Sequence, residues 1–376
     1  MMVDFWSNHL NVFATDAPGG TFVTRHAYQR DVIRKHALGD FESMLLASAF
    51  HPTMLAYLNG AGSTGKEPNE NYSRELLELH TVGVDAGYTE RDVQKGALLL
   101  SGWTIDAKLR AVYVPANHHV GKLKVFGFTT ANASAAKGRA AQQAYVKYLA
   151  HHPSTAKHLA RKLAIRFVSD NPPASLVKKL ATAYTKHDTA IAPVLRVLFS
   201  SPEFAASKRK KVRRPMETVV ATARALDLKP GTDPIGLLDV FQVTLGAGQG
   251  ALWWPQPNGY ADTADAWQSP AAALALFNLT SAWLVGGGAR LKNPGFTGFL
   301  KNPPKSRATV ITATFQKLVG RKPTAAERKG VNTLLGSARF AGKPLPTTFA
   351  AGSQEQRETV YLTAMLLLNS PAHLTR

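Results

Sequence analysis

The sequence predicts a mainly α fold: a helical bundle-like architecture of two lobes with one small β-hairpin. Three observations carry this. Apolar residues recur at helical spacing through most of the chain. Helix start and stop signals punctuate that pattern, with Thr89 and Asp92 spaced as a capping box and Gly83 placed to stop a helix ending near His80. Strict alternation is confined to residues 111–128, where Gly121 and Gly127 supply turns.

In chain order, 28–38 and 41–58 read as helices, the second with Phe41, Met44, Leu45 and Ala49 on one stripe. Residues 59–65 are a glycine-rich loop. Helices follow from about 71 to 80 and from 89 to 101, then the 111–128 hairpin, then helices at 133–151, 153–168, 173–185, 189–200 and 216–226. Residues 229–262 are rich in Gly and Pro and are expected as loops with one short helix. Helices at 270–285, 306–319, 324–336 and 355–369 complete the chain. The whole is expected as one continuous domain, 1–376, with a first lobe of about 1–228 and a second of about 229–376. A weak repeat supports two related units at 153–208 and 306–376: Leu198-Phe199-Ser200-Ser201-Pro202 matches Leu367-Leu368-Asn369-Ser370-Pro371, each ending a run of helices.

With 376 residues, 45% apolar and 19% charged, the chain can bury a full core, so disorder is excluded as its main state. No apolar stretch is long enough for a transmembrane segment. The absence of Cys removes disulfide scaffolds, thiolate metal sites and thiol catalysis together. Charge is split along the chain. Residues 1–100 hold 8 Lys+Arg against 12 Asp+Glu, a net of −4, and the rest holds 37 against 13, a net of +24. Such a basic remainder attracts an anionic polymer by counterion release.

Met1-Met2-Val3-Asp4-Phe5-Trp6 has no charged n-region and no cleavage site, so no export signal is legible in this chain. Large aromatics so close to the start predict a further segment upstream in the natural protein, where an export signal would lie.

Gly60-Ala61-Gly62-Ser63-Thr64-Gly65-Lys66 has the spacing of a phosphate-cradling loop, but Glu67 and Pro68 stand where a magnesium-binding hydroxyl and a helix should begin, so no nucleotide is expected. The most informative segment is Asn69-Glu70-Asn71-Tyr72-Ser73-Arg74-Glu75-Leu76-Leu77-Glu78-Leu79-His80. On a helix Asn71, Arg74, Glu75 and Glu78 share one face, while Tyr72, Leu76 and Leu79 share another that would pack on the core. A polar face of this kind is either a solvated ion-pair network or an enclosed acid–base site. At 100° per residue His80 lies about 140° round from Glu75 and cannot join that face. His9, His80 and His118 lack ligand spacing, so a divalent metal has no support from spacing. Lys208-Arg209-Lys210-Lys211-Val212-Arg213-Arg214 is either a solvated linker or a grip for phosphates or acidic polymer. Trp253-Trp254-Pro255 with Tyr260 is either a core anchor or a stacking platform for sugar rings or bases.

The 69–80 segment, continued by Thr81 and Gly83, resembles the signature of the bacterial domain-of-unknown-function 1800 family. Gly87-Tyr88-Thr89-Glu90-Arg91-Asp92-Val93 and Leu99-Leu100-Ser101-Gly102-Trp103-Thr104 resemble its Gly-Tyr-Thr and Gly-Trp stretches. Trp6-Ser7-Asn8-His9, His118-His119-Val120-Gly121 and Pro257-Asn258-Gly259-Tyr260 with Trp267 resemble three more. Ser7 stands where the family usually has His, and His119 where it has Asp, which removes an imidazole and a carboxylate and counts against a metal role here. The resemblance brings no established activity; members often look exported. It implies a polar site drawn from Asn8, His9, Asn69, Glu70, Asn71, Arg74, Glu75, Glu78, His80, Trp103 and His118.

Two functions are therefore expected in competition. One is a hydrolase-type enzyme on an extracellular polymer, with Glu75, Glu78, Arg74, His9 and His118 as its catalytic set. The other is a binding or assembly protein whose basic surface holds an anionic polymer.

Overall fold

Helices in the computed structural model follow the apolar stripes closely, and the structure is described for residues 1–13, 21–231, 236–286, 291–292, 299–300, 302–340 and 342–376. Its contacts divide the chain into two units, Met1–Ser207 with Leu252–Ala261, and Lys208–Ala251 with Asp262–Arg376. Each unit has its own core. The first is built around Phe5, Trp6, Phe41, Met44, Leu76, Tyr145 and Leu163, and the second around Val219, Trp283, Ile311, Phe315, Val360 and Leu368.

In the first unit, helix Met2–His9 places Trp6 and His9 inward. Thr21–Tyr28 continues into a π turn, Gln29–Arg34. The expected 41–58 helix is two: Phe41–Ala49 ends before Pro52, which opens Pro52–Tyr57 with His51 Nδ1 accepting from Thr53 N at 3.2 Å. Pro lacks the N–H that an uninterrupted helix would need there. Glu70–Glu75 and Glu90–Leu100 follow, and the second carries the expected capping box of Thr89 with Asp92.

The β part is small, as expected, but is made of consecutive hairpins instead of one spanning 111–128. Strand β1 (Trp103–Ile105) pairs with β2 (Ala111–Tyr113), and β3 (Leu123–Val125) with β4 (Phe128–Thr130). Two turns decide this. Asp106 accepts from the N–H groups of Lys108 and Arg110, both at 2.9 Å, and closes the first. Phe126 and Gly127, at φ 43° and 86°, close the second as a tight primed turn. Helices Gly138–His151, Pro153–Phe167, Ala174–Lys186 and Ile191–Phe199 then complete the unit with the short Pro202–Ala206.

The second unit contains Pro215–Ala225, Gly236–Gly246, Pro270–Leu284, Arg307–Val319, Ala325–Ser337 and Gln354–Leu368, a small pair β5 (Arg339–Phe340) with β6 (Lys343–Pro344), and the terminal Pro371–Leu374. The 208–214 run belongs here because it ladders onto the C-terminus: Arg213 N–H donates to Leu374 O at 2.9 Å and Arg376 N–H to Lys211 O at 2.8 Å. The repeated Ser-Pro motifs act alike. Ser201 Oγ donates to Leu198 O at 2.7 Å and Ser370 Oγ to Leu367 O at 2.8 Å, each just before a proline-initiated turn of helix.

No helix among the described residues is long and apolar enough to cross a membrane.

Candidate functional site

The 69–80 segment folds as its sequence dictates for one turn and a half, then departs. Asn69 caps helix Glu70–Glu75, its side-chain oxygen accepting from Asn71 N at 2.9 Å. The helix continues as a π turn, Leu76–His80. A π turn takes more residues per revolution, so the 140° offset expected between Glu75 and His80 does not hold. Its effect is visible in burial: Leu76, Leu77 and His80 are buried, while Leu79, expected in the core, is only half-buried. Gly83, at φ 88°, ends the segment with its N–H on Leu77 O at 3.1 Å. The segment lies close on the following helix, where a Cβ at Gly96 would overlap the Ser73 hydroxyl.

The outward face carries a dense carboxylate group. Arg74 bonds Glu90 in fork geometry at 3.0 and 2.5 Å, and lies 3.8 Å from Glu70 and 3.7 Å from Glu78. These side chains are one-fifth to three-fifths exposed, so solvent screens each pair and the network contributes little to stability. Glu78 also engages the Tyr88 hydroxyl. Glu75 differs from its neighbours. Loss of solvent, then the charge of Glu78, pushes its carboxyl above the usual range, with Arg74 opposing. Its charge in turn bears on Tyr57, whose hydroxyl donates to Pro255 O at 2.8 Å. Asn71 is exposed and reaches back to Leu58 O at 3.4 Å.

The histidines expected here lie elsewhere. His9 is buried, its Nε2 lying 3.1 Å from His80 O. Its ring is 6.5 Å from that of His80 and 6.1 Å from that of His158. Burial, reinforced by the Lys162 charge, holds all three imidazoles neutral: His9 well below its ordinary value, His80 at about 3 and His158 at about 4. One ring nitrogen of each, His9 Nδ1, His80 Nε2 and His158 Nε2, is buried without a hydrogen-bond partner. Among the described residues, no group of three or more His, Cys, Asp or Glu is arranged to hold a metal ion. Sequence reasoning missed His158. The available signal was its i,i+4 spacing to Lys162 on the same helix, Pro153–Phe167.

His118 and Trp103 join a different network. His118 Nδ1 lies 3.0 Å from Ser101 O and Nε2 lies 2.9 Å from Asn132 Oδ1, while Asn132 Nδ2 donates to His119 O at 2.6 Å. Trp103 Nε1 donates to Gln142 Oε1 at 2.7 Å, and Gln142 Nε2 donates to Ser101 O at 2.7 Å. Gln142 and Asn132 carried no motif and could not have been singled out. Asn8 has a further role. It exchanges two 2.6 Å bonds with the backbone of Tyr260, tying down the 252–261 loop.

The basic run is only partly solvated: Lys208 and Lys210 are exposed, but two of its cations are not. Lys211 and Arg214 are buried, Lys211 on Asp262 O and Arg214 3.4 Å from the Asp262 carboxylate, so neither can grip an external polymer.

The class defined by these features is a mainly α-helical protein with an arginine-bridged carboxylate face on a π-ended helix and neutral histidines packed beneath. The sequence model described as "Protein of unknown function (DUF1800)" matches residues 1–375, and the chain belongs to that family. No curated protein and no solved structure matches it.

Proposed function

We propose that the protein is a hydrolase-type enzyme acting on an extracellular polymer, with Glu75 as proton donor and Glu78 as its paired carboxylate. One observation carries the reading: two adjacent carboxyl groups sit in unlike surroundings. Glu75 is held toward its protonated form by desolvation, while Glu78 faces Arg74 at 3.7 Å and the Tyr88 hydroxyl. Hydrolysis by general acid–base catalysis needs such a divided pair, one member able to give a proton and the other able to hold charge. Arg74 positions Glu78 in this scheme, and His9 and His118, engaged in buried networks, pack the structure instead of reacting.

The test is release of soluble reducing ends from insoluble polysaccharide and from bacterial wall sacculi. Glu75→Gln is expected to lower the rate on the order of 100-fold or more with an unchanged melting temperature. Activity should also fall as pH rises through the elevated Glu75 value, because the donor is then ionised. A variant as active as the parent would remove Glu75 from the mechanism.

Anchorage to an anionic polymer is the second reading. Residues 137–196 carry 11 Lys and Arg against 2 Asp, most of them exposed. It predicts retention on immobilised poly-glutamate that falls steeply between 50 and 200 mM salt. Absence of retention at low salt excludes it.

A further inference from the structure

The helix Pro270–Leu284 carries no charge, and the chain holds none between Asp265 and Arg290. Its inward side is accounted for. Ala272, Leu279, Thr280, Trp283 and Leu284 are buried, and three of them, Leu279, Trp283 and Leu284, belong to the core of the second unit. The outward side is apolar as well. Leu274 is 60% exposed, Phe277 48%, and Val285, just past the helix end, 65%. At helical spacing these three positions fall within about 80° of arc, on the side away from Trp283.

A water-facing helix ordinarily puts charged and polar residues on that side, and a single exposed apolar side chain needs no explanation. Here the apolar character repeats over about three turns with no charge to interrupt it. The surroundings are basic. The unit made of 208–251 and 262–376 holds 22 Lys and Arg against 9 Asp and Glu, a net of +13. Two of these cations are held together shortly after the helix in the chain. Lys292 N–H donates to Lys229 O at 2.9 Å and Lys229 N–H to Lys292 O at 3.1 Å, and both residues are exposed.

We propose that the outward side of Pro270–Leu284 docks on an anionic lipid surface. Leu274, Phe277 and Val285 enter the boundary between headgroups and acyl chains, while Lys229, Lys292 and the unit's net charge meet the negative headgroups. The helix lies in the interface instead of crossing it, since its 15 residues span about 22 Å against a hydrocarbon core of about 30 Å. A second copy of this chain fits less well. Three side chains cover far less than the roughly 800 Å² per partner that a stable dimer buries, and two copies bring the same net charge together. The docking surface uses neither the Glu75–Glu78 pair nor the cations of 137–196.

Co-sedimentation of the full chain at low salt tests this, with vesicles of phosphatidylcholine alone and of phosphatidylcholine with an equal share of phosphatidylglycerol. The protein is expected to bind the anionic vesicles. Leu274→Ser combined with Phe277→Ser should weaken that binding roughly tenfold or more at an unchanged melting temperature. Lys229→Gln combined with Lys292→Gln should weaken it several-fold and flatten its fall with salt. Because the chain has no Cys, Phe277→Cys takes an environment-sensitive fluorescent label at a single place, and its emission should move to shorter wavelength on anionic vesicles. The proposal is overturned if the parent stays unbound on anionic vesicles, if it binds neutral ones as tightly, if the Leu274 and Phe277 double variant binds like the parent, or if the label's emission does not change. A parent that is dimeric without lipid and is made monomeric by the same double variant overturns it in favour of a second copy.

Discussion

Between pH 7.5 and pH 4 the protein is expected to lose on the order of 3 kcal/mol of stability through His80 alone. His80 is buried, and desolvation followed by the Lys162 charge lowers its folded-state value to about 3, against an ordinary value of 6.5. The unfolded chain therefore takes up a proton below about pH 6.5 that the folded protein refuses. Stability is full above pH 6.5 and drains away as pH falls toward 3. His158, at about 4, and the lowered His9 act in the same direction. Carboxylates paired in the folded state, such as Glu327 at about 2, add a separate loss that begins only below their ordinary value of 4.5. Glu75, raised instead, has the opposite sign and moderates that loss. Urea unfolding midpoints at pH 7.5, 5.5 and 4.5 isolate the histidine window. Equal midpoints at the three values would mean that these imidazoles are not buried neutral.

Gly138→Ala is expected to cost about 3 kcal/mol, near the upper end of overpacking substitutions. Gly138 opens a helix, where alanine would ordinarily gain up to about 1 kcal/mol from propensity. Here a Cβ would overlap both the Tyr113 hydroxyl and the His118 ring. That hydroxyl donates to Ala135 O at 2.8 Å, and the ring is bonded to Asn132, so neither can swing aside without breaking a bond. Adding Tyr113→Phe to the variant should recover part of the loss by clearing one of the two overlaps. Urea denaturation of the parent, the single and the double variant measures both effects. A Gly138→Ala protein as stable as the parent would show that the hairpin and helix are less tightly joined than the geometry states.

How far the site was legible depended on the range of the interaction. The Asn69 cap, the Thr89–Asp92 box and the shared face of Arg74, Glu75 and Glu78 all involve residues within one or two turns, so spacing sufficed. The π turn at Leu76–His80 was not legible, because it is chosen by what the helix end packs against. The meeting of His9 with His80 and His158 spans the unit from its first helix to Pro153–Phe167 and has no local signature. The same holds for Asn8 and Tyr260, whose bonds cross 252 positions of chain. The Lys208–Arg214 run misleads for a related reason: a charge run reads as solvated unless its buried partners, here Asp262 and the C-terminal backbone, are known.

The sequence by itself determined the helical class, the helix limits set by caps and prolines, the family, and the carboxylate-rich face of the 70–78 helix. All of these follow from backbone hydrogen bonding and periodicity over a few residues. Only the tertiary structure decided which polar groups meet. It sent the histidines inward to be held neutral, left Glu75 half-desolvated beside Glu78, and tied the distant 252–261 loop down through Asn8, Asn11 and Tyr57. Burial and proximity set the chemistry of an ionisable side chain, and both are properties of packing that no local pattern contains.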